Sequence, residues 1–295
     1  MTNDKSGVKY SINIKLYFCD AFMRKLSLFI LFIIISTVGR SQLDVGIFAG
    51  GSFYMGDLNP SYPFLQTNFA YGALGRYNLS SRWAVKVNIY KGILTGDDKK
   101  SKFLKERSLK FTSNLWELGG VMEFNFLPYY TGSMKNYYTP YIFGGVAVFY
   151  NRPKIGNSDL RDYHTEGQTN LAYLPPDETR KEYSYYNLSF PFGIGVKYSF
   201  SKRICITLEW GMRKTFTDYI DDVSKTYYLP AYNIEPGDEE YPDLVVSDPN
   251  KNHQPMMQRG NSKTNDWYSF AGMTITYNVN LKNRNKCSEF QDNKY

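Results

Sequence analysis

Cysteine and histidine are scarce in this chain of 295 residues, which has three of the first and two of the second. One cysteine, Cys19, precedes the apolar N-terminal run. The two that follow it, Cys205 and Cys287, are too few for a disulfide framework or a structural zinc site. His164 and His253 stand alone in polar stretches, with no Ser/Asp arrangement that reads as a nucleophile set. There is no phosphate-binding glycine loop and no HExxH, and Gly144-Gly145 reads as a strand pair. The chain is therefore expected to need no cofactor and not to be an enzyme. Beyond the N-terminus no apolar run approaches the roughly 20 residues of a membrane-crossing helix, which excludes a helical membrane protein. Glycine (23) and proline (13) are too ordinary for collagen-like or low-complexity chains. With 42% hydrophobic and 21% charged residues, disorder is excluded as well.

What the chain does have is an address and many aromatics. Met23-Arg24-Lys25 precedes the apolar run Leu26–Val38, then Gly39-Arg40-Ser41-Gln42. That is a basic n-region, an h-region and a small-residue cleavage site, so residues 1–41 read as a signal peptide cut after Ser41. Cys19 lies on the wrong side of the run to be the acylated cysteine of a lipoprotein. The polar stretch 1–22 is foreign to a signal peptide, and Met23 reads as the true initiator. The leader carries six basic and two acidic residues, so the formal charge of +7 falls to about +3 without it. A nucleic-acid partner loses its electrostatic basis.

The full sequence is 17% aromatic, and beyond the leader its signal is period 2. Trp83, Val85, Val87 and Ile89 share one face, against Ala84, Lys86 and Asn88. Trp116, Leu118, Met122, Phe124 and Phe126 oppose Glu117, Gly119, Glu123 and Asn125. The pattern recurs in Ile204–Met212 and Ala271–Leu281. Eight runs emerge: 43–55, 68–79, 82–94, 112–126, 138–151, 185–200, 203–216 and 266–281. Most reach the ~9–11 residues of a tilted bilayer-crossing strand, about twice the usual soluble strand.

The connections sort by parity. Ser80-Ser81 and Ser201-Lys202 are tight turns and Leu127–Tyr137 is moderate, whereas 56–67, 95–111, 152–184 and 217–265 are long and polar. Short turns at one end and long loops at the other, on an even number of strands, describe an outer-membrane barrel. A soluble sandwich has no reason to sort its loops. The fold class expected is all-β: an eight-stranded antiparallel transmembrane barrel over 42–281, then a periplasmic tail, 282–295.

Alternation alone does not say which face is inside. Closure does, because every backbone group in lipid needs a partner, and eight strands make a lumen that side chains can fill. The polar face then becomes an interior carrying Arg76, Lys86, Lys197 and Arg213 against Glu117, Glu123 and Glu209. Buried charges must pair, so an ion-pair network plugging the barrel is expected, with Gly46, Gly50, Gly72, Gly119, Gly144, Gly193 and Gly195 on or near that face. Trp83, Trp116, Phe126, Tyr129, Tyr130, Tyr137, Tyr138, Tyr198, Phe200, Trp210 and Trp267 read as interfacial girdles. Outer-membrane lipid is the expected surrounding. The last loop is acidic, with Asp218, Asp221, Asp222, Asp238, Glu239, Glu240 and Asp243. A solvated loop is the main reading and a calcium site the alternative, although no EF-hand spacing is present. A barrel-bound phospholipase would need a histidine at the lipid boundary.

Several segments resemble PorG-type barrels: Asp44–Pro60, Ser113–Leu118 with Glu123–Phe126, Thr139–Gly145, Thr165–Gln168 and Thr217–Ser224. The resemblance implies an outer-membrane component of the type IX secretion and gliding machinery, associated with its periplasmic ring. It implies a structural or assembly factor, since an eight-stranded lumen cannot pass a folded protein. The tail, with Lys282, Arg284, Lys286 and Cys287, is then the expected docking segment, or else a frayed end. A general OmpA/OmpW-like surface barrel and a small-solute channel are the competing functions.

Overall fold

The computed structural model describes residues 42–101, 103–168, 180–228 and 246–279. The signal-peptide reading of 1–41 and the docking-tail reading of 282–295 lie outside them. Eight long strands form the wall: β1 (Gln42–Met55), β2 (Asn68–Asn78), β3 (Trp83–Asp97), β4 (Lys110–Asn125), β5 (Tyr138–Ile155), β7 (Tyr186–Ser199), β8 (Ile204–Thr215) and β9 (Trp267–Val279). A two-residue β6 (Ser158–Asp159) folds back on β5, and a single helical turn, α1 (Asp98–Ser101), follows β3. Each long strand pairs antiparallel with its chain neighbour, and β1 pairs with β9. The sheet is therefore closed: an eight-stranded up-and-down barrel with no free edge.

The tight turns share one device. Leu79-Ser80-Ser81-Arg82 and Phe200-Ser201-Lys202-Arg203 each place a serine hydroxyl where it accepts backbone N–H groups two and three residues on, 3.2 and 3.1 Å in the first turn and 3.4 and 3.2 Å in the second. The third short connection turns at Gly132, with φ of +87° and the Lys202 carbonyl 2.4 Å from where a Cβ would sit, so only glycine fits.

The two faces of the wall are inverted relative to a water-soluble protein. Outside lie Val45, Ile47, Val87, Ile89, Leu118, Val146, Val148, Leu188, Ile194, Val196, Leu208 and Ile275, with Ile47 and Val146 65% and 67% exposed. Trp83, Phe126, Tyr137, Tyr138, Tyr198 and Phe200 ring the short-turn end, and Phe69, Tyr71, Trp116, Tyr186, Phe190 and Phe216 the long-loop half. β3, β4 and β5, at 15, 16 and 18 residues, stand taller than their neighbours, and their outward face turns polar there: Thr95, Asp97, Lys110, Thr112, Asn114, Arg152 and Lys154. A belt of aliphatics between aromatic rings, with outward charge on the long-loop side, where Lys91 lies over Trp116 and Lys214 over Trp267, is the outside of an outer-membrane-type barrel. Tyr129 is a correction to the girdle reading. It is buried, because the connection after β4 folds it under the barrel instead of outward.

Inside, side chains fill the section in layers. Phe48, Gly72 and Tyr90 lie side by side in the pairing of β1, β2 and β3. Gly72 leaves the gap in which Phe48 and Tyr90 stack at 4.5 Å, with Phe270 edge-on to both. Gly193 and Gly195 likewise give way to Phe143 and Tyr141. Gly144 corrects the expectation of an inward glycine: it faces outward and Gly145 inward, because Tyr141, Phe143, Ala147 and Phe149 fix the inward set of β5 as the odd positions.

Candidate functional site

All seven charged side chains read as lumen residues point inward and are buried. At the short-turn half, Glu123 is the hub: Arg76 Nε lies 2.8 Å away, Lys197 Nζ 2.6 Å and Lys86 Nζ 3.7 Å. Lys86 also meets Glu209 at 2.6 Å. One layer higher Arg213 Nε pairs with Glu117 at 3.0 Å. Tyrosines donate to Glu209 and Glu117, whereas Glu123 Oε1 and the terminal nitrogens of Arg76 have no hydrogen-bond partner. Tyr141 and Tyr90 donate to Glu209 at 2.8 and 3.2 Å, and Tyr268 donates to Glu117 at 2.9 Å.

Asp44 is the member that strand alternation did not pick out. It is fully buried and accepts from Asn78 Nδ2 at 2.8 Å and Asn278 Nδ2 at 2.6 Å. With it the lumen holds four cations and four anions, a neutral set, as a region closed off from water must be. The signal was available, since Asp44 is the third residue of β1 and shares the inward parity of Phe48.

A second ionic layer caps the barrel at the long-loop end, built by segments far apart in sequence. Arg107 makes a bidentate pair with Asp98 (2.8 and 2.7 Å) and donates to the carbonyls of Arg259 and Asp57. Arg259 donates to Glu166 at 3.2 Å and to the Asp222 carbonyl at 2.5 Å. Glu166 also accepts the backbone N–H groups of Ser224 and Lys225, and Thr165 donates to Asp222 at 2.5 Å. The segments Thr165–Gln168 and Thr217–Ser224 thus meet in the cap. Ile220 and Val223 descend from it to pack in one cluster with Phe48, Leu94, Leu115 and Phe149.

The acidic last loop is corrected accordingly. Asp218, Asp221 and Asp222 are buried, not solvated, while Asp238, Glu239, Glu240 and Asp243 lie outside the described residues. Burial pushes the Asp222 carboxyl up to about 6 against the opposing pull of Arg259. Burial pushes Asp218 up to about 8, the Asp57 and Glu166 carboxylates adding to it. Among the described residues no group of three or more His, Cys, Asp or Glu side chains is arranged to hold a metal ion. His253 sits 2.9 Å from Asp248 and stacks on Tyr227, and His164 faces Glu182 at 3.8 Å. Beside the cap a cleft of about 910 Å³ opens at the rim of β1, β8 and β9, with Met55, Phe103, Leu104, Met212 and Trp267 among its walls.

The chain is similar to several solved barrels. With Neisserial surface protein A it shares 11% identity at a TM-score of 0.40, over 81% of this chain and 98% of that one. With the N-terminal β-barrel domain of Pseudomonas aeruginosa OprF the figures are 13%, 0.36, 81% and 100%. With Ail, the attachment invasion locus protein of Yersinia pestis, in complex with the heparin analogue sucrose octasulfate, they are 8%, 0.37, 81% and 97%. No curated protein matches the sequence. Residues 24–228, well over half of the sequence, match the family model described as a domain of unknown function, DUF6089, and the chain belongs to that family.

Proposed function

We propose that this protein is an outer-membrane barrel that works as a structural or assembly component of the envelope rather than as a conduit or an enzyme. The observation that carries the reading is the inversion of polarity on a closed ring: an aliphatic belt outside, eight neutralising charges inside. Such a surface is stable only against lipid, and such a lumen passes nothing. The finer reading rests on the sequence resemblance to PorG-type barrels and makes it part of the type IX secretion machinery, docked to the periplasmic ring through the short-turn end and the tail Lys282–Tyr295. The long, buried cap favours an assembly role, because it spends most of its polar groups on itself.

The test has two arms. Fractionation of cells expressing the full chain should place it in the outer membrane, extractable only with detergent; a soluble product sinks the barrel-in-lipid reading. Deleting the gene should abolish export of type IX cargo and gliding; normal export removes the secretion role and leaves the barrel. The 910 Å³ cleft favours a second reading, a surface barrel that holds a ligand at its outer rim, which survives if export is normal.

A further inference from the structure

One hydroxyl in the cap faces two carboxyls. The Tyr54 Oη hydrogen-bonds Asp221 Oδ2 and lies 3.1 Å from Asp266 Oδ1. The outer oxygens of the same carboxyls are taken: Asp221 Oδ1 accepts from Val223 N and Asp266 Oδ2 from Ile220 N, both at 2.9 Å. A phenol carries one proton, so it donates to one acid only. The second contact is a hydrogen bond only if the other acid carries a proton of its own and donates it to Tyr54 Oη. Among the described residues neither Asp221 nor Asp266 has an ion-pair partner. Arg107, whose charge acts on Asp221, is hydrogen-bonded to Asp98 instead.

A second observation points the same way. Asp218 is buried at 8% exposure, with no hydrogen bond of good geometry to either carboxyl oxygen and only the Ser224 hydroxyl easing its charge. An ionised carboxylate left so would cost several kcal/mol; a protonated one is tolerable. The groups facing this cluster are Asp57 from the β1–β2 loop, Arg107 from the β3–β4 loop, and Glu166 with Arg259 behind Asp57. Burial first, then the neighbouring carboxylates, hold Asp221 and Asp266 well above the usual carboxylate range.

We propose that Tyr54, Asp221 and Asp266 form a proton-dependent latch that fastens the last loop to the barrel rim and closes the outer mouth. The three residues belong to the end of β1, the early part of the β8–β9 loop and the residue before β9, so the shared proton ties the loop down at both its ends. Loss of that proton sets two carboxylates against each other and releases Ile220 and Val223 from the inner cluster.

The experiment uses the full mature barrel refolded in detergent, with wild type and Asp266→Asn compared at each pH. The asparagine amide supplies the hydrogen permanently while its oxygen still accepts from Ile220 N. Protease cleavage within 217–228 and 246–266 of wild type, taken as a ratio to the variant so that the protease's own pH profile cancels, should rise with pH, by up to about tenfold per pH unit, once the shared proton titrates above the ordinary carboxylate range. A flat ratio overturns the latch. Infrared difference spectra, taken in an Asp218→Asn background so that the Asp218 carboxyl does not contribute, supply the independent readout: a protonated-carboxyl band present at neutral pH with Asp221 and Asp266 intact and lost on adding Asp266→Asn or Asp221→Asn. Its absence from wild type overturns the proposal even if a variant misfolds. Restoration of wild-type protection at high pH by calcium, reversed by a chelator, would also overturn it, because a cation and not a proton would then be the fastener.

Discussion

Glu123 shows what one residue does in a closed lumen. Three cations converge on it, and the carboxylate is fully buried. Glu123→Ala should destabilise the barrel by about 3–5 kcal/mol, since it strands buried positive charge. Urea titration of the refolded protein, followed by the heat-dependent gel shift of compact barrels, measures this; a loss under about 1 kcal/mol would mean the cations are hydrated. Asp218 gives the opposite case. Its folded-state value of about 8 exceeds that of the unfolded chain, so its contribution to stability is complete below about pH 4 and disappears as pH rises through about 8. Asp218→Asn should therefore leave acid stability nearly unchanged and make the cap more stable than wild type above about pH 8, read from thermal midpoints across that range. These two residues also mark how far sequence reads. Glu123 was legible because strand parity places it beside Asn125 and opposite Phe124. Asp218 was not, because its burial comes from a cap assembled by loops more than 50 residues apart in sequence, and no local pattern encodes that.

At the scale of elements, the eight strands were legible to within one or two residues at most ends, because period 2 over 11 to 18 residues leaves a single register that keeps most charge off the lipid face, while β3 and β5 run three and four residues beyond the alternating runs. What parity missed was local. Gly144 was set on the wrong face, since the glycine pair offers no side chain to fix the phase. Tyr129 was misplaced because a connection, unlike a strand, has no period. The outward belt makes its own prediction. Val146→Arg, at mid-belt, should cost about 2–4 kcal/mol, while Thr112→Arg, on the polar extension of β4, should cost about 0–1. Equal costs at both positions, in refolding titrations into lipid vesicles, would mean that the belt does not meet hydrocarbon.

At the scale of the molecule, the barrel is sealed three times along its axis: by the ion pairs around Glu123, by the stack of Phe48, Tyr90 and Phe270, and by the loop cap. The layers touch, since Tyr90 donates to Glu209 and the cap residues Ile220 and Val223 pack with Phe48, but the lower two are built from strand residues and only the cap hangs on loop contacts. That difference separates a latch from a gate. Deprotonating the Tyr54–Asp221–Asp266 cluster frees the cap but leaves the aromatic and ionic layers in place, so the opened molecule presents a new outer surface without gaining a pore. Purified barrel in planar bilayers should accordingly show no discrete conductance steps at neutral pH, and none at a pH where the last loop becomes cleavable. Steps at both pH values would restore the solute-channel reading and mean that water threads the Glu123 layer. Steps only at high pH would mean that the cap is the sole seal, and the layers beneath it would then have to move with it, which their cross-strand ion pairs oppose.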